Sequence, residues 1–298
     1  MNGNITKDGI TCDLEAMKAN GIAGYQLFEA GSGIPIGPVE SLSDEWVDLI
    51  LHTLKESERL GLEFAMHNCP GWSSSGGPWI TPDKAMQIIT WSETKVTGGK
   101  QIRMPLPTPK HMFDYYIDTF CLAIPANMEV IPKSSVLELS GQLKDGVLTW
   151  AAPAGEWLII RFGQTAKDQK NKSAPSKSTG LDCDKFSTEA LDYHLDCMFK
   201  RLMPAMEKVA KHSKIGLLID SYETGDQDWT SDMPAYFEQK HRYALYPFLP
   251  ALANKVVESE ESTKRFLFDF RRTRADLFAE RYYAHFQKRC KEKGIITY

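Results

Sequence analysis

The 298-residue sequence predicts an α/β fold in which parallel strands alternate with helices and an inserted, mostly antiparallel β subdomain interrupts them. Three observations carry this. Short apolar runs at 23–28, 62–66 and 215–219 each end in polar residues. Apolar residues at helical spacing stand before or after those runs. From about 92 to 163 the pattern becomes β-type runs separated by Pro, Gly and Asp-Gly. The expected organisation is therefore 1–91, the first part of the α/β unit; 92–163, the insertion; and 164–298, the continuation.

Taken in order, Thr11 can cap a helix whose apolar side includes Leu14 and Met17 and which Gly21 ends. Residues 23–28 read as a strand, and Glu29-Ala30-Gly31-Ser32-Gly33 opens a loop. Ser43 caps the next helix, with Asp44 and Glu45 favourable in its first turn. Trp46, Leu49, Ile50, Thr53, Leu54, Ser57 and Leu60 fall on one helical stripe. The strand 62–66 comes next, and strand–helix–strand with short links means parallel pairing. Thr81-Pro82-Asp83 starts a short helix with Pro at its first position.

In the insertion, 117–124, 136–139, 147–150 and 157–162 read as strands, with Asp145-Gly146 as a hairpin turn. Residues 164–186 form a polar loop rich in Lys, Ser, Asn and Asp. Ser187 then caps a long helix with Leu191, Leu195, Met198, Leu202, Met206 and Val209 on one face. After the strand 215–219, a last long helix is expected from about Thr263 to Lys293, with basic residues at its end and Gly294 as terminator. A further strand begins at Ile295.

With 42% hydrophobic and 25% charged residues, the composition is that of a soluble globular protein. A net charge of −4 argues against a nucleic-acid-binding surface, and Lys167, Lys170, Lys172 and Lys177 read as a solvated linker. No apolar run is long enough to span a membrane. The six cysteines show no C-x-x-C pair or zinc-type spacing, which points to most of them being buried thiols. Met1-Asn2-Gly3-Asn4 lacks the regions of a secretion signal, which says nothing about export if the segment is internal.

The chemistry is expected at the strand ends. The run His67-Asn68-Cys69-Pro70-Gly71-Trp72-Ser73-Ser74-Ser75-Gly76-Gly77-Pro78-Trp79 places an imidazole, a carboxamide, indoles and hydroxyls just past a buried strand. Such groups suit a sugar, which offers apolar faces for stacking and hydroxyls for hydrogen bonds; a turn with Trp packed over the core is the plainer reading. Glu29, then His67 with Asn68, then Asp220 with Glu223 stand after three successive strands. Paired carboxylates beside aromatic rings are the equipment of glycoside hydrolysis. Glu223, three residues past its strand, is the preferred catalytic carboxylate, and Asp220 an orienting or sugar-binding group. Trp72 and Trp229 are candidate sugar platforms, although Asp220 and Glu223 could equally cap a turn.

Other motifs fail. Asp226, Asp228 and Asp232 lack the glycine and terminal glutamate of an EF-hand loop. The serine-glycine run 73–77 has no Gly-Lys-Ser/Thr after it, so a Walker loop is not supported. His194 lies on the apolar face of its helix and reads as packed.

The segment Met1-Asn2-Gly3-Asn4-Ile5-Thr6, the 67–79 run, Gly180-Leu181-Asp182-Cys183-Asp184-Lys185-Phe186 and Asp220-Ser221-Tyr222-Glu223 together resemble the α-L-rhamnosidases of glycoside hydrolase family 106. The match runs in order over essentially the whole chain. The resemblance implies a (β/α)8, TIM-type barrel, an inverting mechanism, calcium assistance, release of terminal rhamnose from rhamnosides or plant-type polysaccharide side chains, and a periplasmic or extracellular setting. It points to no particular metal ligands. Family members are much longer, so the fold expected here is a partial barrel, with the second catalytic carboxylate beyond residue 298 and no turnover by these residues alone. Another glycosidase specificity on the same barrel, or a sugar-binding protein without catalysis, is the alternative.

Overall fold

The computed structural model describes residues 1–200, 202–209 and 215–298. The first elements are α1 (Lys7–Ala19), β1 (Gly24–Leu27), α2 (Asp44–Leu60), β2 (Glu63–His67), β3 (Gln87–Thr97), β4 (Lys100–Pro105) and β5 (Ile117–Pro125). Then come β6 (Val130–Ile131), β7 (Leu137–Glu138), β8 (Leu143–Lys144), β9 (Val147–Ala152) and β10 (Glu156–Ala166). The remainder holds α3 (Thr188–Phe199), α4 (Met203–Val209), β11 (Ile215–Leu218), α5 (Met233–His241), β12 (Val256–Val257), α6 (Glu260–Leu277), α7 (His285–Glu292) and β13 (Ile296–Thr297). The fold is mixed α/β. No described helix is long and apolar enough to cross a membrane.

The chain divides into two compact units. The first comprises Met1–Met86, Asp168–Asp226 and Glu280–Tyr298. Its sheet has the order β1-β2-β11-β13, and all three pairings are parallel. Phe64, Ala65 and Met66 of β2 are buried, an unbroken apolar run of the kind a parallel sheet covered on both faces requires. α2 supplies one cover. The Ser43 Oγ accepts from Trp46 N–H at 3.1 Å, Gly61 ends the helix at φ 64°, and the stripe from Trp46 to Ser57 is buried. Register aligns the strand ends. Leu27 pairs with Met66 and Leu218 with His67, so the chain leaves β1, β2 and β11 along one edge.

The second unit comprises Gln87–Lys167 and Gln227–Ala279. β10 lies between β3 and β5, antiparallel to both, with β7 beyond β5. A second sheet, β4-β9-β8, closes over a core that includes Ile102, Cys121, Leu148, Trp150 and Ile159. Asp145 and Gly146 both have positive φ, 50° and 75°, as the two-residue turn between β8 and β9 demands.

Several expectations are corrected. The α1 cap is Thr6, whose hydroxyl accepts from Gly9 N–H at 3.1 Å; Thr11 lies inside the helix and bonds His52. The helix expected from Ser187 is two, α3 and α4, because Pro204 lacks an N–H and its ring clashes with the preceding turn. The β unit starts at Gln87 rather than 92, and it holds two further strands, β3 and β4, ahead of the first expected one at 117. Residues 227–279, expected in the barrel continuation, belong to the second unit. Asp228 and Trp229 N–H donate to Gln87 O, and β12 pairs with β6, so these backbone groups are satisfied there. The last helix starts at Glu260, behind a Ser259 cap, and passes through a π-helical segment, Phe278–Ala284.

Candidate active site

The end of β2 is tightly built. His67 Nδ1 stands 3.1 Å from Gly71 O. A carbonyl only accepts, so Nδ1 carries the proton and Nε2 is left as an acceptor. Nε2 is buried and has no hydrogen-bond partner. Burial holds the imidazole pKa below its ordinary value, against the opposing pull of Asp220 and the Gly71 carbonyl. The Phe28 ring lies against it, with centroids 3.6 Å apart. Gly71 has φ 82°, and a Cβ there would lie 2.2 Å from Lys172 O, so the turn admits only glycine. Its N–H donates to Glu29 O at 2.8 Å, tying the exit of β1 to the turn.

Asn68 is fully buried and its carboxamide is spent within the protein. Nδ2 donates to Ser74 O (2.9 Å) and Leu218 O (3.0 Å), while Oδ1 accepts from His194 Nε2 (3.0 Å). His194 Nδ1 in turn accepts from Trp79 Nε1 at 3.2 Å. Burial pushes the His194 pKa down to about 3, so the ring is neutral and packed, as its helix face implied. Asn68, expected to hold sugar, instead fixes β11, α3 and the loop after β2.

Glu29 and Glu223 differ. The Glu29 carboxyl is largely buried, with Oε2 lacking a hydrogen-bond partner, and burial raises its pKa to about 7 against the Ser41 hydroxyl. Glu223 is exposed; Ser221 Oγ donates to its Oε1 at 3.0 Å, and Lys172 Nζ stands 3.8 Å from Oε2. Asp220 is half-buried and accepts from Ser221 N–H at 2.8 Å. Trp72, next to Gly71 in the turn, is half-buried, and its backbone N–H donates to Lys172 O at 3.2 Å. Trp229 is fully buried within the second unit, where it packs as core, and its ring is not open to a sugar.

Sequence reasoning missed a buried polar cluster. Lys185 Nζ and Asp182 Oδ1 are 2.6 Å apart, both side chains at 0% exposure. Ser75 Oγ donates to the same Asp182 oxygen, and Cys183 Sγ donates to Ser75 Oγ at 3.1 Å. Burial opposes the lysine charge, but Asp182 outweighs it and holds the pKa above the ordinary value. Burial also pushes the Cys183 thiol up to about 12 and raises Cys69, so both stay protonated. The signals were the three-residue Asp–Lys spacing and the place of both residues in the 180–186 motif, within a stretch whose composition reads as a polar loop. That loop is anchored: Asn171 is buried and donates to Pro70 O and Ser178 O, both at 3.0 Å.

Among the described residues, no group of three or more His, Cys, Asp or Glu is placed to hold a metal ion. Asp228, one of the three aspartates with a calcium-like spacing, accepts from Ile89 N–H at 2.8 Å.

Residues 1–119 and 108–298 match the alpha-L-rhamnosidase family Glyco_hydro_106. The chain belongs to that family of glycoside hydrolases. It is 41% identical over 327 residues to a protein of Formosa agariphila provisionally named a beta-glucuronidase, covering 99% of this chain and 28% of that protein. A rhamnosidase from Novosphingobium sp. PP1Y has the same fold over 100% of this chain and 45% of its own, with TM-score 0.90 and 24% identity. The family 106 chain thus spans less than half the length of either relative.

Proposed function

We propose that this chain carries the sugar site and one catalytic carboxylate of an inverting glycoside hydrolase that releases terminal α-L-rhamnose from rhamnosides or plant-type polysaccharide side chains. The observation that carries the reading is the parallel register of β1, β2 and β11, which delivers Glu29, His67 and the Glu223 loop to one edge of the sheet. Four parallel strands with helices between them fit an arc of a (β/α)8 barrel, whose active site lies at the carboxyl ends of its strands.

In this reading Glu223, exposed and close to solvent, is one of the acid/base pair. His67 is a neutral, buried ring at the end of β2, beside the Phe28 ring. Glu29 holds a proton over part of the neutral range and can donate to a sugar oxygen. Trp72 and Asp220 complete the contacts. Inversion takes a second carboxyl about 6.5–9.5 Å from the first. We place that partner outside these residues, and expect no turnover from them alone. Calcium assistance remains an implication of the family rather than part of this site.

A second reading, hydrolysis of a β-glucuronide, is favoured by the name of the 41% identical relative. Aryl α-L-rhamnoside and aryl β-D-glucuronide offered to the full-length enzyme separate the two. Turnover of the rhamnoside, abolished by Glu223→Gln, supports the first reading. Turnover of the glucuronide alone replaces it, and binding of either sugar without turnover makes the protein a lectin-like sugar binder.

A further inference from the structure

We propose that Lys185 is a positioning residue for the active site: through the ring of Tyr222 its buried ammonium holds the loop that carries Glu223. The inference rests on the reading of Glu223 as a catalytic carboxylate and adds what keeps that carboxylate in place.

Residues 219–223 have no regular secondary structure; Ile219 N–H donates to Tyr298 O, and from Asp220 on the loop carries side-chain contacts. Lys185 Nζ lies 5.4 Å from the centroid of the Tyr222 ring and 5.5 Å from that of Tyr282. Both distances are within cation–π range, and the attraction is strongest for a cation out of water. Lys185 is at 0% exposure. Tyr282 is itself anchored, its hydroxyl donating to Ser74 O, and Tyr222 donates to Gly225 O, closing the loop over its own ring. Asp182 fixes the other side of the ammonium and accepts from Ser75, in the loop after β2. One buried ion pair therefore braces the loops after β2 and β11.

Stability alone does not account for it. A buried ion pair is commonly replaceable by apolar residues of equal volume without loss of stability, whereas removing one partner strands the other charge. What an apolar pair cannot supply is a fixed cation under the Tyr222 ring. Misplacing a reacting group by about 1 Å costs on the order of 10²-fold in rate.

The test uses the full-length enzyme, with kcat, KM and melting temperature measured for each variant. Lys185→Met strands Asp182 and is expected to lose both stability and turnover. Lys185→Met with Asp182→Asn leaves no buried charge and keeps an acceptor for Ser75. This double variant should recover the melting temperature while kcat stays down about 10- to 100-fold and KM changes little. Tyr222→Leu should cause a similar fall in kcat. Added to the double variant it should cause less than about a twofold further loss, because the interaction is already gone. Lys185→Arg, which keeps a cation, should retain more kcat than Lys185→Met.

Recovery of kcat together with melting temperature in the double variant would overturn the proposal. So would fully multiplicative losses from Tyr222→Leu and the double variant. Glu223→Gln, run alongside, separates the two levels. If it keeps full turnover, the catalytic assignment and the positioning role both fall. If it loses turnover while the Lys185–Tyr222 coupling is absent, only the positioning role falls.

Discussion

Asn68 and His194 are 126 residues apart in sequence and joined by a 3.0 Å hydrogen bond from the imidazole Nε2 to the carboxamide Oδ1. That bond fastens the exit of β2 to the helix α3, and Asn68 Nδ2 extends the tie to Leu218 at the end of β11. The edge of the sheet where the candidate site stands is thus pinned by groups that have no free valence for substrate. Asn68→Ala should therefore lower unfolding free energy by on the order of 3 kcal/mol, since three hydrogen bonds are lost, while His194 keeps Asn68 O, Leu218 O keeps the Asn68 N–H and Ser74 O keeps the Tyr282 hydroxyl. Urea unfolding checks this. A change below about 1 kcal/mol would show that the buried network is not needed to hold the strand ends.

Glu223→Gln keeps the size and the Ser221 hydrogen bond of the side chain but cannot carry a proton between water and sugar. General acid–base catalysis contributes about 10²–10⁴-fold, so kcat on an aryl rhamnoside should fall by at least about 10² in the full-length enzyme. The melting temperature should not move, because the side chain is exposed. A fall of less than about tenfold would remove Glu223 from the mechanism.

Two buried groups give opposite pH dependences. His194 has a folded pKa of about 3, below the ordinary imidazole value of 6.5. Between those values the unfolded chain binds the extra proton. Its contribution to stability is complete above about pH 6.5 and is lost as pH falls toward 3, at up to about 1.4 kcal/mol per pH unit. Glu29 runs the other way. Its folded pKa of about 7 lies above the ordinary 4.5, so the folded chain binds the extra proton between them. Its contribution is complete below about pH 4.5 and is lost as pH rises through about 7. Glu29→Gln should therefore be more stable than the parent at pH about 8, by up to about 3 kcal/mol, with the gap closing near pH 4.5. Unfolding curves at several pH values test both signs, and a gap that does not vary with pH would show the Glu29 carboxyl to be solvated.

The two tryptophans should separate cleanly. Trp72→Ala is expected to raise KM for the sugar with a small effect on melting temperature, because the ring is only half-buried. Trp229→Ala should instead cost about 3–5 kcal/mol of stability, since it empties a core position. An unchanged KM with Trp72→Ala would assign that ring to packing.

The elements legible in the sequence are those decided within a few residues. The Ser43 cap, the α2 stripe, the β2 run and the Asp145-Gly146 turn all rest on local spacing and backbone preference, and the structure has them where the sequence puts them. Motif order also carried the family, which the match over 1–119 and 108–298 shows. Composition misled where chain neighbours and spatial neighbours differ. A Lys-, Ser- and Asn-rich stretch reads as solvated, yet Asn171, Asp182 and Lys185 within it are buried because partners from distant segments satisfy them.

By itself, then, the amino-acid order determined the α/β class and the rhamnosidase family, because caps, turns, periodicity and motifs are local properties of the chain. Only the tertiary structure decided which polar groups at those ends remain open. It spent Asn68 on contacts 126 and 150 residues away and packed Trp229 into a core. It set a buried lysine under the tyrosine beside Glu223. A side chain's availability depends on which distant groups desolvate it and bond it, and those neighbours are chosen when the strands take their register.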